Sequence, residues 1–220
     1  MSFDPVTLRN GAIFYILLVA SLCLRAFAQA WFARRRGDPT AAEAGRYTLN
    51  PVEHMDLLGT VVLPLICIFY LQPSATGVNF FLAWTKPVPI NPSRMRNPER
   101  DYLLTQFSTT GMSALLALLG AVIGGLFYRV NPETVQIFGA LLTVNATLIV
   151  LDCLPLPPLP GALLLKHYGL IKEETFWAIA RWSGLAFIIL INIPFIKGVL
   201  SLVIGITALP FFMVMQAVAL

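Results

Sequence analysis

Long apolar runs are the feature that most constrains how this chain folds. Residues 11–33 begin with "GAIFYILLVASLCL", and similar runs follow at about 55–73, 103–128, 135–155, 176–195 and 198–217. A helix of about 20 apolar residues crosses the hydrocarbon core of a bilayer. Only 12% of the 220 residues are charged, whereas about a quarter are charged in a soluble domain. The sequence therefore predicts an all-α polytopic membrane protein, a single membrane domain (1–220) with about six transmembrane segments.

Residues 34–102 break the helical pattern, because they combine polar stretches with sequence that favours extended backbone. "GRYTLNP" at 45–51 alternates as a short strand does, and "VNFFLAWTKPVPINP" at 78–92 ends in closely spaced prolines. Proline interrupts helices and favours extended backbone in the residue before it. Such backbone is tolerated at membrane depth only where protein buries it or water reaches it. We expect 34–102 to form a small re-entrant or β element on the cytoplasmic side, between the first helix and the later ones.

The distribution of Lys and Arg indicates an orientation. If the run at 55–73 crosses the membrane once, loop cations divide six against seven, and no orientation follows. If 55–90 enters and returns, nine lie on one side and only Arg9, Arg129 and Lys197 on the other. Cytoplasmic loops carry the excess of Lys and Arg. We therefore favour the re-entrant arrangement, with the N-terminus away from the cytoplasm of a bacterial inner membrane, although a full crossing by 55–90 stays open.

The remaining composition excludes several other classes of protein. The net charge of +4 is small, so orientation in a membrane explains the basic loops better than nucleic-acid binding does. Cys23, Cys67 and Cys153 lie in apolar runs and are predicted to be buried thiols without disulfides. Residues 11–24 also match the apolar core of a signal peptide, but Asp4 and Arg9 cancel, which removes the positive flank that such peptides carry.

Four motifs occur in a fixed order along the chain. They are "GDPTA" at 37–41, "GRYTLNP" at 45–51 followed by His54, Asp56, Gly59 and Thr60, "WTKPVPINP" at 84–92, and "NATLIVLDCLPLPPLPG" at 145–161. In order and spacing they resemble the site-2 proteases, which are intramembrane zinc metalloproteases, over about residues 20–165. The resemblance implies that 11–33 is a former zincin helix and 103–161 are two core helices ending in "PLPPLPG". The two C-terminal helices, within 162–220, are only compatible with it.

The positions that carry zinc chemistry in that family hold other residues here. Matched without gaps, the three zinc-ligand positions are Arg25, Gln29 and Pro160, and the general-base position is Ala26. A position thought to help hold substrate is Ser113. Zinc needs about three protein ligands, which are Cys, His, Asp or Glu. Arg repels a dication and Ala cannot carry a proton, so we predict no metal, no other cofactor and no peptide hydrolysis.

The polar residues around His54 have two possible roles. Glu53, His54 and Asp56 are close in sequence and could serve as relocated metal ligands. The resemblance instead matches His54 and Asp56 to positions outside the catalytic set, so we interpret them as interfacial polar residues.

Arg25 lies in the middle of the first apolar run, where a charged side chain costs about 3 kcal/mol on insertion scales. Asp152 is the other charge predicted to be buried in the core helices, and it replaces an Asn of the family pattern. We predict an Arg25–Asp152 ion pair, which Gln29 could extend. The alternative is that Arg25 reaches lipid headgroups or water and Asp152 bonds to backbone.

A site-2-protease-like scaffold without the zinc ligands and the general base points to a binding role. The sequence predicts a subunit, assembly factor or regulator that binds transmembrane segments of other integral membrane proteins. Strand pairing at "GRYTLNP" and "NFFLAWTKPVPINP", and small residues in "GAVIGG" at 120–125, would supply the contacts. The alternatives are a divergent metalloprotease with relocated ligands, and a small transporter or lipid-binding protein, which would need a continuous polar path.

Overall fold

The computed structural model describes residues 5–71, 81–191 and 193–220, and within these ranges the protein is built of helices and loops. The helices are α1 (Pro5–Arg35), α2 (Thr40–Glu43), α3 (Pro51–His54), α5 (Pro98–Leu126), α6 (Pro132–Cys153), α7 (Pro160–His167), α8 (Glu173–Ile191) and α9 (Pro194–Ala219). Between α3 and α5 lies α4, a helix made of a π-helical turn (Leu57–Val62), an α-helical turn (Leu63–Ile66) and a second π-helical turn (Cys67–Leu71). A short 3-10 helix, Pro92–Arg94, precedes α5.

Four of the described helices are long and apolar enough to cross a membrane, namely α1, α5, α6 and α9. This confirms the prediction of an all-helical integral membrane protein. The described part of the run at 55–73 forms α4, whose apolar stretch Leu57–Phe69 is shorter than a span. The predicted count of about six spans goes beyond these four and stays a prediction.

The core of the bundle lies between α5, α6 and α9, where glycines allow close approach. A Cβ atom on Gly125 would lie 2.6 Å from the carbonyl oxygen of Met215, and one on Gly124 would lie 2.8 Å from the Met215 sulfur. Small residues let membrane helices pack backbone to backbone. The run at 120–125 is therefore used inside the bundle, and the prediction that it contacts partner helices is wrong for its buried glycines.

Helix α9 runs antiparallel to α6 and parallel to α5. At its C-terminal end, the Leu220 carbonyl accepts a hydrogen bond of 3.1 Å from Arg129, just beyond α5. Near its N-terminal end, Ile196 and Leu200 belong to a cluster that includes Leu154, just after α6. The chain therefore enters α9 at the end of the bundle where α6 finishes.

This direction corrects the sequence analysis, which placed Lys197 with Arg9 and Arg129. Lys197 lies in the first turn of α9, at the opposite end of the bundle from the Arg129–Leu220 contact. The physical reason is that α8 does not carry the chain from one end of the bundle to the other. Of the three loop cations assigned to that side, Arg9 and Arg129 remain.

The region between α1 and α5 is held together by hydrogen bonds rather than by a sheet. Its β character, in the described residues, is a single antiparallel bridge between Met55 and Thr85. "GRYTLNP" is not a strand: Gly45 turns the chain with φ +71°, and Arg46 donates to the Lys86 carbonyl at 2.8 Å. Residues 81–91 form a non-helical segment that bridges to Met55 at Thr85, bends at Lys86 and is extended at Asn91, whereas 72–80 of the predicted re-entrant element lie outside the described residues.

Asp38 ties this region to the end of α1. Its carboxylate is fully buried and accepts hydrogen bonds from the backbone N–H groups of Thr40 (3.0 Å) and Asn91 (2.6 Å). A buried carboxylate is stable only where it is paired or hydrogen-bonded in this way. Asp38 therefore holds the segment 81–91 against the loop that leaves α1.

Candidate functional site

The positions that the resemblance matches to zinc chemistry lie on three elements of the bundle. Arg25, Ala26 and Gln29 lie on one stretch of α1, where Arg25 is 8% exposed and Ala26 is 3% exposed. Ser113 is buried on α5, and Pro160 is buried at the first position of α7. The structure brings Arg25 and Ser113 together, since Arg25 Nη1 donates to Ser113 Oγ at 2.5 Å.

The Arg25 guanidinium and the Asp152 carboxylate form an ion pair between α1 and α6. Arg25 Nη2 donates to Asp152 Oδ1 at 2.7 Å, and the two side chains are only 10% and 7% exposed. The second carboxylate oxygen accepts from the hydroxyls of Thr110 (2.7 Å) and Thr109 (3.2 Å) on α5. Because both charges also have hydrogen-bond partners, the pair meets the condition under which a buried ion pair is tolerated.

Gln29 does not extend this pair. Its amide donates to Gln106 Oε1 of α5 at 2.8 Å, so it forms a second polar contact between α1 and α5. The prediction that Gln29 would reach Asp152 is wrong, because the Thr109 and Thr110 hydroxyls already bond the carboxylate oxygen that Arg25 leaves free. Nearer the other end of α1, Asn145 of α6 donates to Ser21 at 3.0 Å.

Pro160 lies where the start of α7 approaches the end of α6 closely. A Cβ atom on the neighbouring Gly161 would lie 2.4 Å from the Cys153 carbonyl oxygen and 2.6 Å from that of Leu154. Only glycine allows two backbones so close. The turn "LPLPPLP" thus folds α7 back onto the end of α6, with a proline where the resembling proteases have a carboxylate ligand.

The donors at this site do not fit zinc. Arg25 is a permanent cation, the Gln29 amide is hydrogen-bonded to another amide, and Pro160 has no side-chain donor. The carboxylate of Asp152 already accepts from Arg25, Thr109 and Thr110. In the described part of the chain, no group of three or more His, Cys, Asp or Glu side chains could hold a metal ion.

His54 and Asp56 have structural roles in the region between α1 and α5. His54 is 1% exposed, and its Nε2 lies 2.8 Å from the Thr48 carbonyl, so Nε2 must be the donor. Its Nδ1 lies 3.5 Å from Arg46 Nη2, which leaves neither ring nitrogen free for a metal. Asp56 caps α4 by accepting from Leu58 and Gly59.

His54 is thus buried within the protein and Glu53 beside it is exposed, while the level of these residues relative to the membrane interface stays a prediction. Burial lowers the pKa of Arg46, an effect that the negative charge of Glu53 partly opposes. Arg46 remains a cation, because a guanidinium stays protonated in proteins.

Sequence reasoning missed the contribution of α5 to the site. Thr and Ser hydroxyls within a helix often bond to their own backbone. Thr109 does donate to the Gln106 carbonyl, but both hydroxyls also contact Asp152. The available signal was spacing, since positions 106, 109, 110 and 113 share one helix face.

One comparison with known proteins relates the chain to a metalloprotease. It is 29% identical over 154 residues to a protein of Bacillus subtilis (strain 168) named "Putative zinc metalloprotease YwhC". The match covers 66% of this chain and 64% of the relative, so the chain spans less than two thirds of that protein's length. No protein-family model and no solved structure matches the chain. The similarity supports a site-2-protease-like membrane protein.

Proposed function

We propose that the chain is a catalytically inactive site-2-protease-like protein that acts as a subunit, assembly factor or regulator of a membrane complex. It would do so by binding transmembrane segments of other integral membrane proteins. The observation that carries the proposal is the buried Arg25–Asp152 ion pair. It puts a permanent cation at a position where the resembled proteases have a metal ligand.

The chemistry of the site supports inactivity. A zinc protease needs about three ligands, an open coordination position and a base that activates water. At the matched positions this chain has a guanidinium, an amide and a proline, with Ala26 where the base would be. The polar groups that remain are engaged in hydrogen bonds between α1, α5 and α6.

The segment 81–91 supports the binding role. Trp84 and Lys86 donate their N–H groups to the carbonyls of Gly59 and His54, at 3.1 and 2.9 Å, so these residues face α3 and α4. Between them, the backbone N–H and carbonyl of Thr85 face outward, because neighbouring residues of an extended chain face opposite edges. Beyond the bend at Lys86, Pro87 and Pro89 have no N–H to donate. A bound extended segment would pair with the outward backbone groups of Thr85.

Orientation and location belong to the same proposal. With Lys197 reassigned, nearly all loop cations lie at the end of the bundle where α1 finishes, and the positive-inside rule makes that end cytoplasmic. The N-terminus of α1 would then face away from the cytoplasm, in a bacterial inner membrane.

Affinity purification of the full chain from membranes in a mild detergent tests the proposal. We expect integral membrane proteins of other sequence to co-purify at equal stoichiometry, with a reduced yield for Thr85→Pro, which removes the outward N–H. Leu118→Ala, on the exposed face of α5, is the matched control and should not reduce the yield. Recovery of a lone monomer would contradict the binding role.

A divergent metalloprotease with relocated ligands is the second candidate, favoured by the name of the Bacillus relative. It predicts cleavage of a membrane-protein substrate that a zinc chelator and His54→Ala both abolish. Since both ring nitrogens of His54 face other protein groups, we expect neither cleavage nor sensitivity to chelators.

A further inference from the structure

Helix α8 begins and ends at the same end of the bundle. Near its start, Phe176 is fully buried against Ala162, Leu163 and Tyr102 of the first turns of α7 and α5, and Glu173 pairs with Lys166 at 2.7 Å. Its end leads through residues 192 and 193 into the first turns of α9.

Those first turns pack beside Leu154 and Leu156, where α6 finishes. Because α5 and α6 are antiparallel, the start of α5 and the end of α6 lie at one end of the bundle. A helix of 19 residues is about 28 Å long, enough to separate its two ends by a bilayer thickness if it crossed. Its ends are not separated in this way, so α8 lies across the end of the bundle.

The side of α8 that faces away from the bundle combines tryptophan with a cation. Phe176, Ser183 and Phe187 are buried and form one stripe of the helix. At 100° per residue, Arg181 lies on the opposite side. Trp182 is 65% exposed and Trp177 is 52% exposed.

Arg181 is exposed, and the structure gives its side chain no hydrogen bond or ion pair within the described ranges. Helices that lie in the membrane interface carry Lys or Arg on a polar face and Trp, Phe or Leu on the apolar remainder. On α8, Trp177 and Trp182 flank Arg181 on either side, at about 40° and about 100° around the helix. Trp and Tyr are enriched at that level.

We propose that α8 lies in the plane of the membrane interface and binds phospholipid headgroups, with Arg181 contacting lipid phosphate and Trp177 and Trp182 at the headgroup boundary. The apolar second half of the helix, including the exposed Ile189 and Leu190, lies against the acyl chains. The loop cations cluster at this same end, which the negative surface of a cytoplasmic leaflet would attract.

Other occupants of this face fit the observations less well. A crossing helix would place Arg181 about 12 Å beyond Glu173, inside the hydrocarbon and without a counter-charge. A second copy of the chain in the same membrane has the same orientation, so a symmetric contact through this face would bring one Arg181 against another. Headgroup phosphate offers the opposite charge in the place where the fold holds the helix.

Depth-dependent fluorescence quenching tests the proposal. The full chain carrying Trp31→Phe and Trp84→Phe is reconstituted into phosphatidylcholine–phosphatidylglycerol vesicles. Their acyl chains are brominated either near the ester end or near the methyl end. A second variant without native Trp carries Ile189→Trp.

We expect lipids brominated near the ester end to quench the Trp177/Trp182 pair and Trp at position 189 more strongly than the other lipids do. A deep maximum at Trp182 would show that α8 crosses the bilayer and overturn the proposal. An absence of quenching by either lipid would show that the face contacts water or protein instead of lipid, and would overturn it as well.

Cysteine labelling gives a second test that does not depend on the tryptophan variants. In a background without Cys23, Cys67 and Cys153, Val130→Cys and Ile193→Cys are exposed to an impermeant maleimide from one side of the membrane. The proposal predicts that the two sites label from opposite sides. Labelling of both from the same side would overturn it, because it requires α8 to cross.

Discussion

At the scale of single residues, the buried ion pair between α1 and α6 distinguishes this chain from the proteases that it resembles. Asp152 accepts three hydrogen bonds from side chains, and Arg25 donates to Ser113 as well as to Asp152. Removing one partner of a buried pair leaves an uncompensated charge, whereas replacing both with apolar groups is often neutral.

Single and double substitutions in the Arg25–Asp152 pair test this asymmetry. Arg25→Met alone and Asp152→Leu alone should each reduce the free energy of unfolding in detergent by about 3–5 kcal/mol. The double variant should recover most of that loss, because no charge remains buried. Unfolding by denaturant, followed by circular dichroism, measures all three. A double variant as unstable as the sum of the single ones would contradict the pairing.

The exposed pair Arg9–Glu133 is the matched control. Its side chains are 52% and 71% exposed and its closest atoms are 3.4 Å apart. Arg9→Met should change the free energy of unfolding by less than about 1 kcal/mol, since exposed ion pairs contribute little.

The pairing of Arg25 with Asp152 could be proposed from the sequence because charges within core membrane spans are rare and need partners. The roles of Thr109, Thr110 and Gln106 could not. A hydroxyl on a helix can bond its own backbone, and only the rotation of α5 against α6 decides whether it also reaches a neighbour.

At the scale of elements, the turn between α6 and α7 depends on one glycine. Gly161→Ala would force a Cβ atom within 2.4 Å of a backbone oxygen, which cannot move as a side chain can. We expect a loss of more than about 2 kcal/mol in the free energy of unfolding, as for other overpacked sites. Thermal unfolding measures it.

Gly139→Ala is the control within α6, where nothing lies within 4 Å of the added atom. It should leave stability unchanged or raise it by up to about 1 kcal/mol, since Ala favours helix over Gly. Equal losses in the two variants would contradict the close approach of α6 and α7.

The contact between α7 and α8 depends on pH through Glu173. Hydrogen bonds from Lys166 and Trp177 lower the pKa of the Glu173 carboxyl. Because the pKa is lower in the folded protein, this contact is present above the ordinary Glu pKa of about 4.3 and is lost as the pH falls through the lower pKa of the folded state. In a Trp31→Phe/Trp84→Phe/Trp182→Phe background, Trp177 emission should change as the pH falls below about 4.3. A change that persists in Glu173→Gln would show that another group is responsible.

The sequence predicted the existence of α1, α5, α6 and α9 from composition, with ends that differ from the observed ones by two to six residues. It could not predict the direction of α9. Counting loop charges assumes that every long apolar run crosses the membrane, and α8 breaks that assumption. "GRYTLNP" alternates as a strand does, but it does not form one, because the chain turns at Gly45 and Arg46 bonds to the Lys86 carbonyl. Local alternation does not predict either contact.

At the scale of the whole molecule, the Arg25–Asp152 contact joins three of the four membrane-length helices, α1, α5 and α6. Most loop cations lie at one end, together with α7, α8 and the segment 81–91. That end is where we place both the lipid contact of α8 and the partner-binding edge. The opposite end has Arg9, Arg129 and Leu220, just after α9.

The content of bound metal tests the central claim most directly. The full chain is purified in mild detergent without chelator, incubated with an excess of zinc, freed of unbound ion and analysed by mass spectrometry of the metal. We predict far less than one zinc per chain, and no change in the unfolding midpoint on adding zinc, because Arg25 and Pro160 replace ligands. One tightly held zinc per chain, lost in Gln29→Ala or Asp152→Asn, would contradict the account.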